Sequence, residues 1–156
     1  SILVTIRGVL GEETFQKAFK TFLTRWQYRH PYPWDLFNTF EDVSGQDLDW
    51  FWRTWYYETW TLDQAVGDVR PAEGSEGEGG TEIIIEDHGQ APMPATVEIT
   101  LADGSTLTRE IPVETWLKGA VRTTLRVDNA SEVTKVVIDP ERKFPDVNRI
   151  NNSWEK

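Results

Sequence analysis

The spacing of apolar residues changes once along this chain, and that change limits what it can fold into. Up to Trp60 they recur every three or four positions, which is one face of a helix; after it they alternate with polar residues, which is a strand with one buried side. The sequence therefore reads as a helical part, residues 1–61, followed by a strand-rich part, residues 62–156. Helices first and strands afterwards imply an α+β architecture rather than alternating βαβ units. With 38% hydrophobic and 12% aromatic residues in 156, there is enough apolar surface for a real core.

Just before the change lies WFWRTWYYETW, Trp50 to Trp60, with seven aromatic residues in eleven positions. Leu48, Phe51, Trp52 and Trp55 form one stripe at helical spacing, so a short amphipathic helix is expected here. Trp50, Tyr56, Tyr57 and Trp60 fall off that stripe and are expected to face something else. An aromatic seam between packed domains suits them, since large rings dominate such contacts. A surface that stacks on sugars or holds peptide is the other reading.

The helical part has three earlier segments. Ile2, Leu3, Ile6, Val9 and Leu10 run at helical period from the first residue with no capping signal, and the chain opens on Ser1 rather than Met, so it reads as a piece of a longer protein. Gly11 stops that helix, and Glu12 and Glu13 place negative charge at the start of the next, where the helix dipole favours it. Phe15, Ala18, Phe19, Phe22, Leu23 and Trp26 give this second helix a continuous apolar face, expected to be buried. Pro31 and Pro33 interrupt the helical pattern, which resumes from Trp34 to Val43 with Leu36, Phe37, Phe40 and Val43 inward. Ser44 and Asp47 resemble a capping box for the aromatic helix.

In the strand-rich part, Ala65–Val69 reads as a strand, and Glu82–Glu86 as a strand buried on both faces because of its three successive isoleucines. Between them, Gly74, Gly77, Gly79 and Gly80 with Glu73, Glu76 and Glu78 read as a solvated acidic loop. Val97, Ile99 and Leu101 before Asp103-Gly104, and Leu107, Ile111 and Val113 after it, specify a hairpin. Val121–Val127 and Val133–Ile138 complete about six strands, the last ending at Ile138. Short strands with turns between them and no helical pattern imply an antiparallel β-sandwich, taken as immunoglobulin-like.

Several chemistries are excluded. A formal charge of -10 opposes nucleic-acid binding, which needs clustered Lys and Arg. No apolar run approaches a membrane span, and with no cysteine there is neither a disulfide nor a thiolate. His30 and His88, in different parts, have no second His at ligand spacing, so no standard zinc pattern is present. No phosphate-binding glycine loop or GxSxG elbow occurs. The acid pairs Asp47/Asp49 and Glu86/Asp87 read as solvating charge. Asp139, Asp146, Asn148, Asn151 and Asn152 could offer oxygen ligands to calcium but lack EF-hand spacing; Asx turns folding the tail back onto the sandwich are the favoured reading. Asn129 and Asn151 each begin a glycosylation sequon. No catalytic, cofactor-binding or metal-binding residue is assigned.

Two stretches, LGEETFQKAF and PWDLFNTFEDVSGQDLDWFWRTW, resemble the end of the catalytic domain in the aminopeptidase N family of zinc metallopeptidases. Leu10 to Phe15, Asp35 to Phe37, Ser44 to Leu48 and Trp55 match that family's pattern in order and spacing, and the tail from Ile138 to Trp154 is similar to the close of the sandwich that follows. The resemblance implies a parent protein that cleaves N-terminal residues from peptides with zinc-activated water, placed in the periplasm or outside the cell. It also implies that the His-Glu-x-x-His helix, the third zinc ligand and the catalytic tyrosine lie upstream of Ser1, so that this segment packs against a catalytic lobe as scaffold. Glu58-Thr59-Trp60 stands where the family has Gly-Thr-Pro. Two further expectations follow: an exposed apolar patch with self-association of the chain, or, as the alternative function, a free-standing sandwich module that binds peptide or glycan.

Overall fold

The computed structural model describes residues 1–72, 80–128 and 131–156. Most of the expected acidic loop, Glu73 to Gly79, and the sequon residue Asn129 lie outside them. The chain forms two compact units, Ser1–Thr59 and Trp60–Lys156.

The first unit is helical. Helix α1, Ile2–Leu10, receives no side-chain cap from Ser1, whose carbonyl instead accepts the N–H groups of Val4 and Thr5. It ends where Gly11 turns to a φ of 78°, a conformation that L side chains rarely adopt. Helix α2, Glu12–Trp26, follows directly, with Glu12 and Glu13 in its first turn as expected. Helix α3, Pro33–Ser44, starts on a proline, and Asp35 Oδ2 accepts the Tyr32 N–H at 2.7 Å. Phe37 and Phe40 are buried, with Leu36 and Val43 half-buried beside them, so the inner face is the one expected.

The core joins Ile6, Leu10, Ala18, Phe37, Phe40, Leu48, Phe51 and Trp52. Two sequence expectations need correction here. Helix α2 is not buried along its whole apolar face: Phe15, Ala18 and Phe19 reach the core, but Leu23 is 54% exposed. Phe22 and Trp26, on the same half of that face, are only half-buried. Ser44 and Asp47 do not form a capping box. Each instead accepts an N–H two residues on, Gln46 at 3.3 Å and Asp49 at 3.0 Å, and Leu48 occupies the cap of helix α4, Asp49–Trp52.

The second unit is a sandwich of two open antiparallel sheets. Its strands are β1 Gln64–Pro71, β2 Gly80–Asp87, β3 Ala95–Leu101, β4 Thr106–Ile111, β5 Arg122–Asp128, β6 Val133–Ile138 and β7 Ser153–Glu155. The sheet orders are β1-β2-β5 and β4-β3-β6-β7. This is the immunoglobulin-like arrangement in which the strand after the third stays beside it in the second sheet. Alternation decides the inner faces: Val97, Ile99 and Leu101 from β3 meet Ile83 and Ile85 from β2, and Trp116 from the short helix α5, Glu114–Leu117, fills the same core.

The hairpin expected around Asp103-Gly104 is present, with Thr100 opposite Thr106 and Gly104 at φ 85°. Strand β2 is not buried on both faces. Ile83 and Ile85 are buried in the sandwich core and Ile84, on the opposite face of the strand, is only half-buried. Nor is β6 the last strand: β7 pairs with it, Trp154 opposite Val136. A register shift between Val66 and Asp68 marks a bulge at Gly67, where an added Cβ would meet the Glu86 side chain at 2.7 Å.

Candidate functional site

The aromatic stretch does not continue as an α-helix. After Trp52 the chain widens into a π-helical turn, Arg53–Tyr57, closed by the Glu58 N–H on the Arg53 carbonyl at 3.0 Å. Thr54 stabilises it by donating its hydroxyl to the Trp50 carbonyl at 2.7 Å. The wider turn shifts the phase of the side chains that follow. Leu48, Phe51 and Trp52 are buried and Trp55 packs on them, as their spacing predicts. Trp50, expected to face elsewhere, packs against the same core, its ring 5.7 Å from Phe51 and nearly perpendicular to it. Its place follows from edge-to-face ring geometry, which a stripe of helical spacing does not register.

Tyr56 and Tyr57 turn outward, 49% and 65% exposed, and touch the edge of Phe37 at 5.1 and 6.4 Å. Tyr32 and Trp34 make a second exposed aromatic pair, stacked at 4.7 Å. On α2, Phe22, Leu23 and Trp26 with Lys20 and Pro31 line an open groove of about 370 Å³. The unit thus has a packed aromatic interior and a large amount of apolar surface left in water.

Among the described residues, one group of acids comes close enough to share an ion: Glu41, Asp47 and Asp49, with ligand atoms within 4.8 Å of one another. Glu41 Oε1 accepts the Leu48 N–H at 3.2 Å, and burial, aided by the charges of Asp49 and Asp47, raises its pKa. The trio contains no histidine and does not fit zinc, which is held by His and Cys with at most part of its shell from carboxylates. The hydrogen bonds of Glu41, Asp47 and Asp49 serve the turn between α3 and α4.

In the sandwich, the tail acids and amides fold the tail onto β1, as the Asx-turn reading expects. Asp139 accepts the N–H groups of Lys143 and Phe144 at 2.9 and 3.0 Å and the Arg149 guanidinium at 3.0 Å. Asp146 accepts the N–H of Gln64 at 2.9 Å and that of Asn148 at 2.9 Å. Asn152 donates to the Gln64 carbonyl at 2.6 Å, and Asn151 donates to Asp63 at 2.7 Å. These bonds satisfy carboxylates with protein donors and give them a structural task. Because Asn151 Nδ2 is engaged, its sequon is a poor glycan acceptor.

His30 is exposed in the proline-containing link, while His88 Nε2 lies 2.8 Å from Glu86 Oε2, a bond that raises the His88 pKa. The neighbouring Asp87 is not the solvating charge its sequence suggests. Burial, reinforced by the charges of Asp146 and Asp63, pushes its pKa up to about 6. The Gly89 N–H, 3.3 Å from Asp87 Oδ1, acts the other way and lowers it, and the acids that raise it, Asp63 and Asp146, lie in other segments of the sequence.

Comparison with known proteins finds similarity to a family model and to solved structures. The model of the Peptidase family M1 domain matches residues 1–55. No curated protein matches the chain by sequence. Among solved structures, the crystal structure of Legionella pneumophila aminopeptidase A in complex with aspartic acid is similar, with a TM-score of 0.56 and 15% identity. The likeness covers 82% of this chain and 14% of that one, and at this identity it is a likeness of fold.

Proposed function

From the match of residues 1–55 to the Peptidase family M1 domain we propose that this chain is the non-catalytic C-terminal portion of a zinc aminopeptidase. Its helices complete the catalytic domain and its sandwich is a non-catalytic scaffold domain. The observation that carries this reading is the pairing of an M1 match with a helix, α2, whose apolar face is left exposed at Leu23 and only half-buried at Phe22 and Trp26. A face of that kind is stable in water only at a cost, and a partner lobe from the same polypeptide would remove it. Zinc, peptide cleavage and a periplasmic or secreted location belong to the proposed parent; the family supplies the metal through His-Glu-x-x-His, which this sequence does not contain.

The test has two parts. Incubated with zinc and a panel of aminoacyl-coumarin amides, the chain alone should release no fluorophore. The catalytic lobe encoded in the same reading frame, produced separately, should bind this chain and protect Leu23 and Trp26 from labelling or quenching. Turnover by the chain alone, or a reading frame without His-Glu-x-x-His before Ser1, would refute the proposal. The exposed Tyr32–Trp34 stack supports the second reading, a peptide or glycan surface; a saturable tryptophan fluorescence change on titration with oligosaccharide or peptide would favour it.

A further inference from the structure

Two open sheets leave four edge strands among the described residues: β1 and β5 in one sheet, β4 and β7 in the other. An edge offers unpaired N–H and C=O groups to any other chain, so edges are ordinarily guarded. Strand β1 carries the bulge at Gly67 and ends on Pro71, and the tail covers part of it, the Asn151 carbonyl accepting the Val66 N–H at 2.9 Å. Strand β4 sets an exposed charge, Arg109, on the core side of its sheet, opposite Val97. Strand β7 has only three residues. Strand β5 has none of these guards: it runs for seven residues in unbroken register with β2, and its core-side positions are Thr123, Leu125 and Val127.

The ladder shows which of its backbone groups are unused. The Asp87 N–H bonds the Val121 carbonyl at 2.9 Å, one step beyond the Glu86–Arg122 pair. Bonded pairs alternate along an antiparallel ladder, so Thr123, Leu125 and Val127 also turn their backbone groups to β2, while Arg122, Thr124, Arg126 and Asp128 turn theirs to the open edge. The side chains of these four are all exposed.

We propose that β5 pairs antiparallel with β5 of a second copy, about a two-fold axis through Leu125. In this register the unused groups of both strands meet: Arg122 lies opposite Asp128, and Thr124 opposite Arg126. A slide of two residues one way sets Arg122 against Arg126, and a slide the other way sets Arg126 against its own copy. Like charges directly opposite destabilise a sheet, so the charges that repel a stranger at this edge select one partner in one register. Asp128 lies 3.5 Å from Arg126 on its own strand with its side chain 88% exposed, which leaves lone pairs for a second guanidinium. On the core side, half-buried Leu125 meets its own copy. Two seven-residue edges bury less than the ~1,000 Å² expected of a lasting interface. The pairing is therefore transient, and a covalent trap reads it where sedimentation does not. This inference rests on the sandwich and is independent of the peptidase reading.

The full chain has no cysteine, so single substitutions trap it cleanly. All variants are made on Leu23→Lys, which takes the exposed part of α2 out of play. Residues facing each other across the non-bonded positions of a ladder stand about 4.5 Å apart at Cα, within disulfide reach. Under mild oxidation Leu125→Cys should form a covalent dimer roughly 10-fold faster than Thr123→Cys, which faces Val127 of the second copy instead of itself. Adding Arg122→Asp or Asp128→Arg to Leu125→Cys should slow trapping by roughly 10-fold, since each sets like charges opposite one another twice. Mixing those two chains should restore the rate in the mixed dimer, where every facing pair is again of opposite sign. Equal trapping of Leu125→Cys and Thr123→Cys, unchanged rates in the charge variants, or no recovery on mixing would overturn the proposal. Should Leu125→Cys not fold, Thr124→Cys mixed with Arg126→Cys, both exposed positions, serves instead: the mixed disulfide must form faster than either like one, and equal rates refute the pairing.

Discussion

Replacing Phe51 by alanine should unfold the helical unit while leaving the sandwich intact. The Phe51 side chain is fully buried, and its ring meets Trp50 at 5.7 Å, Trp52 at 5.1 Å and Trp55 at 6.5 Å. A Phe→Ala change in a core costs about 3–5 kcal/mol, the upper end applying where the surroundings cannot collapse into the gap. Interlocked indole rings are such surroundings, and each lost edge-to-face pair adds about 0.5–1.5 kcal/mol to what burial alone predicts. A cost near 5 kcal/mol is therefore expected. The whole unit spans Ser1–Thr59, and at about 0.05–0.15 kcal/mol per residue such a unit has only about 3–9 kcal/mol of stability to lose. Trp26, Trp34, Trp50, Trp52 and Trp55 lie in this unit, and Trp60, Trp116 and Trp154 in the other. Near-ultraviolet circular dichroism should therefore lose most of its tryptophan signal in the variant. Amide exchange in the β3–β6 ladder should keep its wild-type protection. A cost below about 1 kcal/mol in urea unfolding, or loss of both units in one transition, would refute the account of this core.

Three other outcomes are expected. Gly89→Ala forces a methyl group against the Thr61 carbonyl, 2.2 Å away, and should lower the stability of the sandwich by about 1–3 kcal/mol in urea unfolding. Asp139→Ala leaves two N–H groups and the Arg149 guanidinium without their acceptor and should cost about 3–5 kcal/mol, seen as a lower melting temperature. The wild-type chain should self-associate in sedimentation velocity through the uncovered face of α2, and Leu23→Lys should shift it to monomer while changing stability by no more than about 0.5 kcal/mol; a clean wild-type monomer would count against that face as the sticky one.

Much of this architecture could be read from periodicity, because period reports which side of an element is buried. The helices beginning at Glu12 and Pro33 and the hairpin around Gly104 carry both an apolar stripe and a punctuating residue, and they stand where the sequence places them. The failures have physical causes. An apolar stripe says that a face avoids water, not that a neighbour is at hand, and so the outer half of α2 was expected to be covered. β7, three residues long, is too short to show alternation and exists because Trp154 finds Val136. The π-helical turn depends on a backbone bond from Glu58 to Arg53 that no pattern of side chains encodes. The environment of Asp87 was the least visible, since two of the charges that set it, Asp63 and Asp146, come from other segments of the chain.

Gln64, the first residue of β1, is bonded through its N–H to Asp146 and through its carbonyl to Asn152, partners 82 and 88 residues further on. On a ribosome the sandwich must therefore remain unlatched until its last strand has emerged, with the faces of Ile83, Ile85 and Ile99 shielded only by transient contacts. Long loop closures of this sort are slow, and unpaired strand edges are vulnerable to neighbouring nascent chains while they wait. A truncation ahead of Asp146 would thus cost far more than the residues it removes: it would strip the fastening from the opposite end of the domain.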